Sequence, residues 1–407
     1  MELLKEPKNV VIGVLVLVIA VGAYAVSKKD NHITLSEDAT TTMEKKSEEN
    51  TPDVVVNMPK SNDGTTADTR PVAGTPVKTA PATSPSVGKA APELQLPSGF
   101  SNSDPFKLQD IVGKKVILLS FENYTSQNSL RTAPYLNQWH ERYKNMGLSV
   151  ITVHTPRFAF DRSKENVDDV AFAYHILHPI VLDNQFATAN AWGSKEWPTH
   201  FLVDINGKIV NVYKGEGNYE AIEARVVQLL KERTAKLKLP SNTYPPFETP
   251  KNFVSVDLPL IKSPETFFGA TRNNVLGNGT AHLMGIQDMK PIVAVVSNTP
   301  YLSGSWEFTG DFARSSIENN KIIYRYNAKN VYMVFGSPKM NKVRVSLDGA
   351  PLGARAGTDV REEKGQSYLY VSEERVYNIV KGDSYGEHTL EFVSETPGLE
   401  VYVLMFG

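Results

Sequence analysis

The chain of 407 residues contains no cysteine. That excludes disulfides, thiolate nucleophiles and thiolate-bound metals. In an exported protein it also removes any risk of mispaired thiols. Net charge is nearly absent too: 43 Lys and Arg against 45 Asp and Glu leave −2. That balance offers no basic surface for nucleic acid, so no nucleic-acid partner is expected. No internal repeat is present, nor a G-x-S-x-G elbow, nor a metal-ligand spacing among the histidines. No cofactor is therefore expected. Long apolar runs are equally scarce: one stands out, Val10 to Val26.

That run follows Lys5 and Lys8 and sits at the short end of the roughly 17–25 residues that cross a bilayer. Two readings stay open. One is an uncleaved anchor with residues 1–8 in the cytoplasm and 9–26 in the membrane. The other is a cleaved signal peptide, since Ala23-Tyr24-Ala25 resembles an A-x-A site. Lys28 and Lys29 blur the charge asymmetry that would set orientation. The anchor is favoured. It makes a single-pass membrane protein with the bulk of the chain outside the cytoplasm. Residues 27–90 are rich in Thr, Ser, Pro, Lys and Glu. Such a segment buries too little apolar surface to offset its ordering entropy and reads as a disordered stalk.

The chain is organised around Phe121–Leu136. Val116–Phe121 reads as a buried strand, and the residues after it take a helical period through Leu130, Leu136, Trp139, Tyr143 and Met146. Leu148–His154 is a second strand, Lys164–Ile176 a helix, Ile180–Asp183 a short strand and Gln185–Trp192 a short helix. Thr199–Asp204 and Lys208–Tyr213 form a hairpin through Asn206-Gly207. Asn218–Arg233 closes the unit with Ile222, Val226, Leu229 and Leu230 on one face. Ser126 stands where a helix N-cap is expected.

The motif Tyr124-Thr125-Ser126-Gln127-Asn128-Ser129-Leu130-Arg131-Thr132 with Pro134-Tyr135-Leu136 resembles the redox motif of TlpA/DipZ-type thioredoxin-like proteins. Val153–Pro156, Leu182–Asn184, Trp197–Leu202 and Gly215–Tyr219 match that family in order. The resemblance implies a three-layer α/β domain over 91–238 with a cis peptide bond before Pro198. It also implies thiol–disulfide oxidoreductase activity carried by two cysteines of a C-x-x-C. Here those positions hold Ser126 and Ser129. Serine forms no disulfide, so no catalytic residue is expected in the chain as it stands. Two accounts fit: a member that keeps the fold as a binding module, or a Cys→Ser form of an active enzyme. The intact anchor and stalk favour the first.

If the family's groove persists, Tyr124, Thr125, Ser126, Gln127, Asn128 and Ser129 face Trp197, Pro198 and Thr199 and could hold an extended peptide or an envelope protein. Glu122, His140, His154 and His200 are the ionisable groups near the motif, and core or loop histidines are the expectation.

Beyond a linker at 239–262, residues 263–407 turn to short alternating segments, from Ile322–Tyr326 and Val331–Phe335 to Val401–Phe406. Asp348-Gly349 and Gly382-Asp383 read as the turns between them. This predicts an all-β, jelly-roll-like sandwich. Ser263–Gly269, Leu302–Gly304 with Trp306, and Met405-Phe406-Gly407 resemble the domain that follows thioredoxin in DipZ-type proteins. There it is likened to carbohydrate-binding modules. Trp306, Phe308 and Phe312 could stack on a glycan, although alternating aromatics in a sandwich more often form the core. A purely structural envelope role is the third reading.

Overall fold

The computed structural model describes residues 87–407. The expected anchor and nearly all of the stalk lie outside the described residues. Among those residues, no helix is long and apolar enough to cross a membrane.

The first domain builds on β1 (Gly99–Ser101), β2 (Val116–Glu122), α1 (Gln127–Tyr143), β3 (Leu148–His154) and α2 (Lys164–Ala173). It continues through β4 (Ile180–Leu182), α3 (Ala187–Trp192), β5 (Thr199–Val203), β6 (Ile209–Lys214) and α4 (Tyr219–Lys236). The sheet order is β1-β4-β3-β2-β5-β6. β2, β3 and β4 run parallel, and β5, β6 and β1 run antiparallel to their neighbours. Every residue of β2 is buried. This is what its unbroken apolar run requires, because a central strand is covered on both faces. On one face, Tyr135, Leu136, Trp139 and Tyr143 of α1 meet Ile222, Val226, Leu229 and Leu230 of α4. On the other, Phe121, Ile151 and Phe201 pack on Trp192 of α3. This is a thioredoxin-like α/β fold.

The chain enters by pairing Gly88 N–H with the Ile209 carbonyl at 2.7 Å and Ala91 N–H with the Gly207 carbonyl at 2.8 Å. It leaves α4 through an extended segment that is no free tether. Tyr244, Phe247 and Phe253 pack on the α1/α4 core, with Phe253 edge-on to Tyr135 at 5.0 Å.

The second domain is β-rich, and its paired strands are antiparallel. Its strands are β7 (Thr266–Phe267), β8 (Gly285–Asp288), β9 (Pro300–Ser303), β10 (Ser305–Phe308), β11 (Ala313–Ser315) and β12 (Asn320–Gly336). They are followed by β13 (Asn341–Leu347), β14 (Arg361–Glu363), β15 (Gln366–Val371), β16 (Arg375–Ser394) and β17 (Glu400–Phe406). The order is β14-β15-β13-β16-β12-β17-β11-β10-β8, with β7 added to β17 and β9 to β12. Two expectations change here. The segments 322–326 and 331–335 are one strand, β12, whose pairing with β16 shifts register between Ala328 and Asn330. Gly382-Asp383 is no turn but lies inside β16. A Cβ on Gly382 would come within 2.3 Å of the Lys329 carbonyl oxygen, so glycine lets the bulged strands approach. Asp348-Gly349 is a turn as expected, both residues having positive φ.

The two halves of β12 bury differently. In the first half only alternate residues are buried; from Asn330 onward every residue is. Val331, Met333 and Phe335 face the domain's own core. Tyr332 and Val334 pack outward, with Tyr402, Val403 and Met405 of β17, against Phe158 and Phe160 of the thioredoxin-like domain. The domains therefore share an aromatic seam.

Candidate functional site

β2 delivers Glu122 and Asn123 to the mouth of α1, where strand gives way to helix. Ser126 occupies the N-cap position, but its hydroxyl makes no capping hydrogen bond. The expected cap is thus positional only. Ser129 Oγ instead accepts from Asn123 N–H at 3.1 Å. Both serines are buried, Ser126 at 4 % exposure and Ser129 at 1 %.

Beneath the motif lies a polar chain. Ser120 Oγ donates to Glu122 Oε1 at 2.5 Å and sits 2.7 Å from His200 Nδ1. Burial pushes the Glu122 carboxyl up to about 8, against the hydrogen bonds of Ser120 and Ser129 that favour its charge. Glu122 is consequently a neutral acid at pH 7. Burial lowers His200 to about 4 and His178, bonded to Thr152 Oγ1, to about 3. Both are neutral, buried core histidines.

Around the motif, Asp161 acts as a hub. Its Oδ2 accepts from Asn123 Nδ2 at 3.2 Å, Thr125 Oγ1 at 3.0 Å, Arg157 N–H at 2.8 Å and Phe158 N–H at 3.0 Å. Arg157 Nη1 donates to the Thr125 carbonyl at 3.2 Å, and its guanidinium pairs with Glu265 of the β-rich domain. The same guanidinium stacks 4.8 Å from the Phe267 ring. Arg131 forms a buried ion pair with Glu216 at 2.6 Å; burial opposes its charge and Glu216 overrides it, so its pKa rises.

Tyr124, Thr125 and Gln127 line a cleft of about 960 Å³ whose far wall is the β-rich domain, through Tyr332, Asp359, Glu374 and Arg375. Trp197 does not line this cleft. It faces a smaller cavity of about 330 Å³ with Arg162, Arg272 and Asp311, and its Nε1 donates to Thr155 Oγ1 at 2.5 Å. The Trp197–Pro198 bond is cis, and Pro198 and Thr199 are buried. The residues grouped from sequence thus divide. Tyr124, Thr125 and Gln127 face one space and Trp197 another, while Ser126, Asn128, Ser129, Pro198 and Thr199 line neither. Sequence reasoning missed Asp161, Arg157 and every residue of the β-rich wall. No local pattern marks them, because they reach the motif only through tertiary contact.

A strand–helix motif of this kind, opposite a cis-proline in a mixed sheet with helices on both faces, defines a thioredoxin-like redoxin domain. Residues 87–212 match the AhpC/TSA family and residues 263–407 the Thioredoxin like C-terminal domain. The chain thus carries a redoxin domain followed by a Thioredoxin like C-terminal domain and is similar to TlpA/DipZ-type proteins, with Ser-x-x-Ser where their motif has C-x-x-C. It is 32% identical over 324 residues to Protein DipZ of Mycobacterium bovis, covering 78% of this chain and 43% of that one. The chain therefore spans under half the length of that relative. It is 31% identical over 141 residues to Thiol-disulfide oxidoreductase ResA of Geobacillus thermodenitrificans, 35% of this chain and 76% of that one. A thiol-disulfide isomerase structure from Corynebacterium glutamicum aligns over 34% of this chain and 96% of its own at 19% identity, with a TM-score of 0.32.

Proposed function

We propose that this protein is a binding module built on a redox scaffold. It is anchored in the inner membrane by residues 9–26, held off by the stalk, and works outside the cytoplasm. It takes an extended polypeptide of the cell envelope into the cleft beside Tyr124, Thr125 and Gln127. The observation that carries this reading is the cleft itself: about 960 Å³ of space opens at the motif of a domain whose two redox positions are serines. Thiol–disulfide exchange begins with a thiolate, and the chain has none to offer. The β-rich domain, a jelly-roll-like sandwich in this reading, supplies the second wall. A glycan site at Trp306 and Phe308 loses its support, because these rings are 0 % and 2 % exposed.

Insulin reduction and peptide titration on the full chain test the proposal together. The chain as it stands should leave insulin oxidised yet bind peptides from a random extended library, with binding weakened by Gln127→Arg, which would fill the cleft. Ser126→Cys/Ser129→Cys should gain reductase activity if the scaffold is intact. Reductase activity in the parent would overturn the redox-inactive reading. Absence of any peptide binding would overturn the binding role.

A further inference from the structure

The cleft carries a chemical signature that specifies its occupant. Its lining includes five carboxylates, Asp161, Asp169, Asp359, Glu373 and Glu374, and two guanidiniums, Arg131 and Arg375. Both guanidiniums have a carboxylate counter-charge, Arg131 in Glu216 at 2.6 Å and Arg375 in Asp359 at 2.8 Å, although Arg131 Nη1 itself has no hydrogen-bond partner. Asp161 is consumed by the four donors around it. Asp169 and Glu374 form no ion pair among the described residues, and Glu373 has only a 4.0 Å contact with Arg375, its side chain 75% exposed.

A second observation is independent of those charges. His154 lines the cleft with its side chain 1 % exposed. Its Nε2 lies 3.1 Å from the Asp161 carbonyl oxygen, which can only accept. The proton of the neutral ring must then sit on Nε2, leaving Nδ1 as a bare acceptor. Nδ1 has no partner. Burial lowers the pKa of this ring, so a second proton does not supply the missing donor. A buried, unmatched acceptor is destabilising unless something donates to it. The ring of Tyr124 stacks on His154 at 5.1 Å, and Tyr174 and Tyr332 line the same cleft, so three aromatic rings of a kind that attracts cations stand around it.

We infer that the cleft recognises a cationic side chain, lysine or arginine, of an extended polypeptide, with Asp169, Glu373 and Glu374 attracting it and His154 Nδ1 accepting one of its N–H groups. This rests on the proposed peptide-binding role and names its specificity.

The test uses the full chain and three blocked pentapeptides, Gly-Gly-X-Gly-Gly, with X lysine, norleucine or glutamate, titrated by calorimetry. A photoreactive analogue of each maps where it sits. Lysine should bind at least about tenfold tighter than norleucine, and glutamate more weakly than either. The lysine advantage should shrink as salt rises from about 0.05 to 0.5 M, as expected for exposed charges. Glu374→Gln with Asp169→Asn, both exposed positions, should cut lysine binding several-fold and so remove most of its advantage over norleucine. If norleucine matches lysine while cross-linking to the cleft, the cation inference falls and the peptide-binding role stands. If none of the peptides binds, both fall.

Discussion

Glu122 offers the sharpest test of how the motif is built. Its carboxyl is buried at 1 % exposure and burial raises it from 4.5 to about 8. In the unfolded chain it ionises near 4.5. Between these values the folded state therefore holds a proton that the unfolded state has lost. Stability from this group is fully present below about pH 4.5 and falls as pH rises toward 8. At about 1.36 kcal/mol per unit, the loss from pH 5 to pH 8 is roughly 3–4 kcal/mol. The perturbation is Glu122→Gln, which keeps an oxygen to accept from Ser120 Oγ and never ionises. Whatever its absolute effect, the variant's stability relative to the parent should rise by roughly 3–4 kcal/mol across that interval. Urea unfolding of both proteins at pH 5, 6, 7 and 8 reads this difference directly, and other titrating groups cancel in the comparison. Parallel stability profiles would refute the reasoning, because they would mean that Glu122 is either solvated or ionised at neutral pH.

Two further substitutions probe the frame around the cleft. Arg131→Ala leaves Glu216 buried without its partner, side chains 1% and 5% exposed, and should cost about 3–5 kcal/mol in urea unfolding. Arg131→Met with Glu216→Leu should recover most of that loss. Arg157→Ala removes the bond to the Thr125 carbonyl, the ion pair with Glu265 and the stacking on Phe267. It should cost about 2–4 kcal/mol and speed amide exchange in β17 as well as around Thr125, since one side chain ties the motif to the β-rich domain. Faster exchange confined to residues next to Arg157 would show that it does not join the two.

Much of the fold was written in local pattern. The apolar run of β2, the period of α1 and α4, and Asn206-Gly207 each specify an element through interactions a few residues long. The ordered matches from Tyr124 to Tyr219 carried the family. Pattern failed where a tertiary contact overrode it. Gly382-Asp383 reads as a turn because glycine and aspartate favour turns, yet a partner strand holds Gly382 in a continuous β16 at a bulge.

The site divides along the same line. Sequence alone determined that Ser126 and Ser129 stand at the two redox positions and that the chain holds no thiol sulfur, since that depends only on which residues are present. It also determined that the motif stands at a strand-to-helix junction. Only the tertiary structure decided what the motif faces. The wall bearing Tyr332, Glu374 and Arg375 lies some two hundred residues away along the chain, and the seam of Phe158, Phe160 and Tyr402 brings it there. The protonation of Glu122 and the bare nitrogen of His154 were likewise decided by packing, because burial and hydrogen-bond partners, not residue identity, set both.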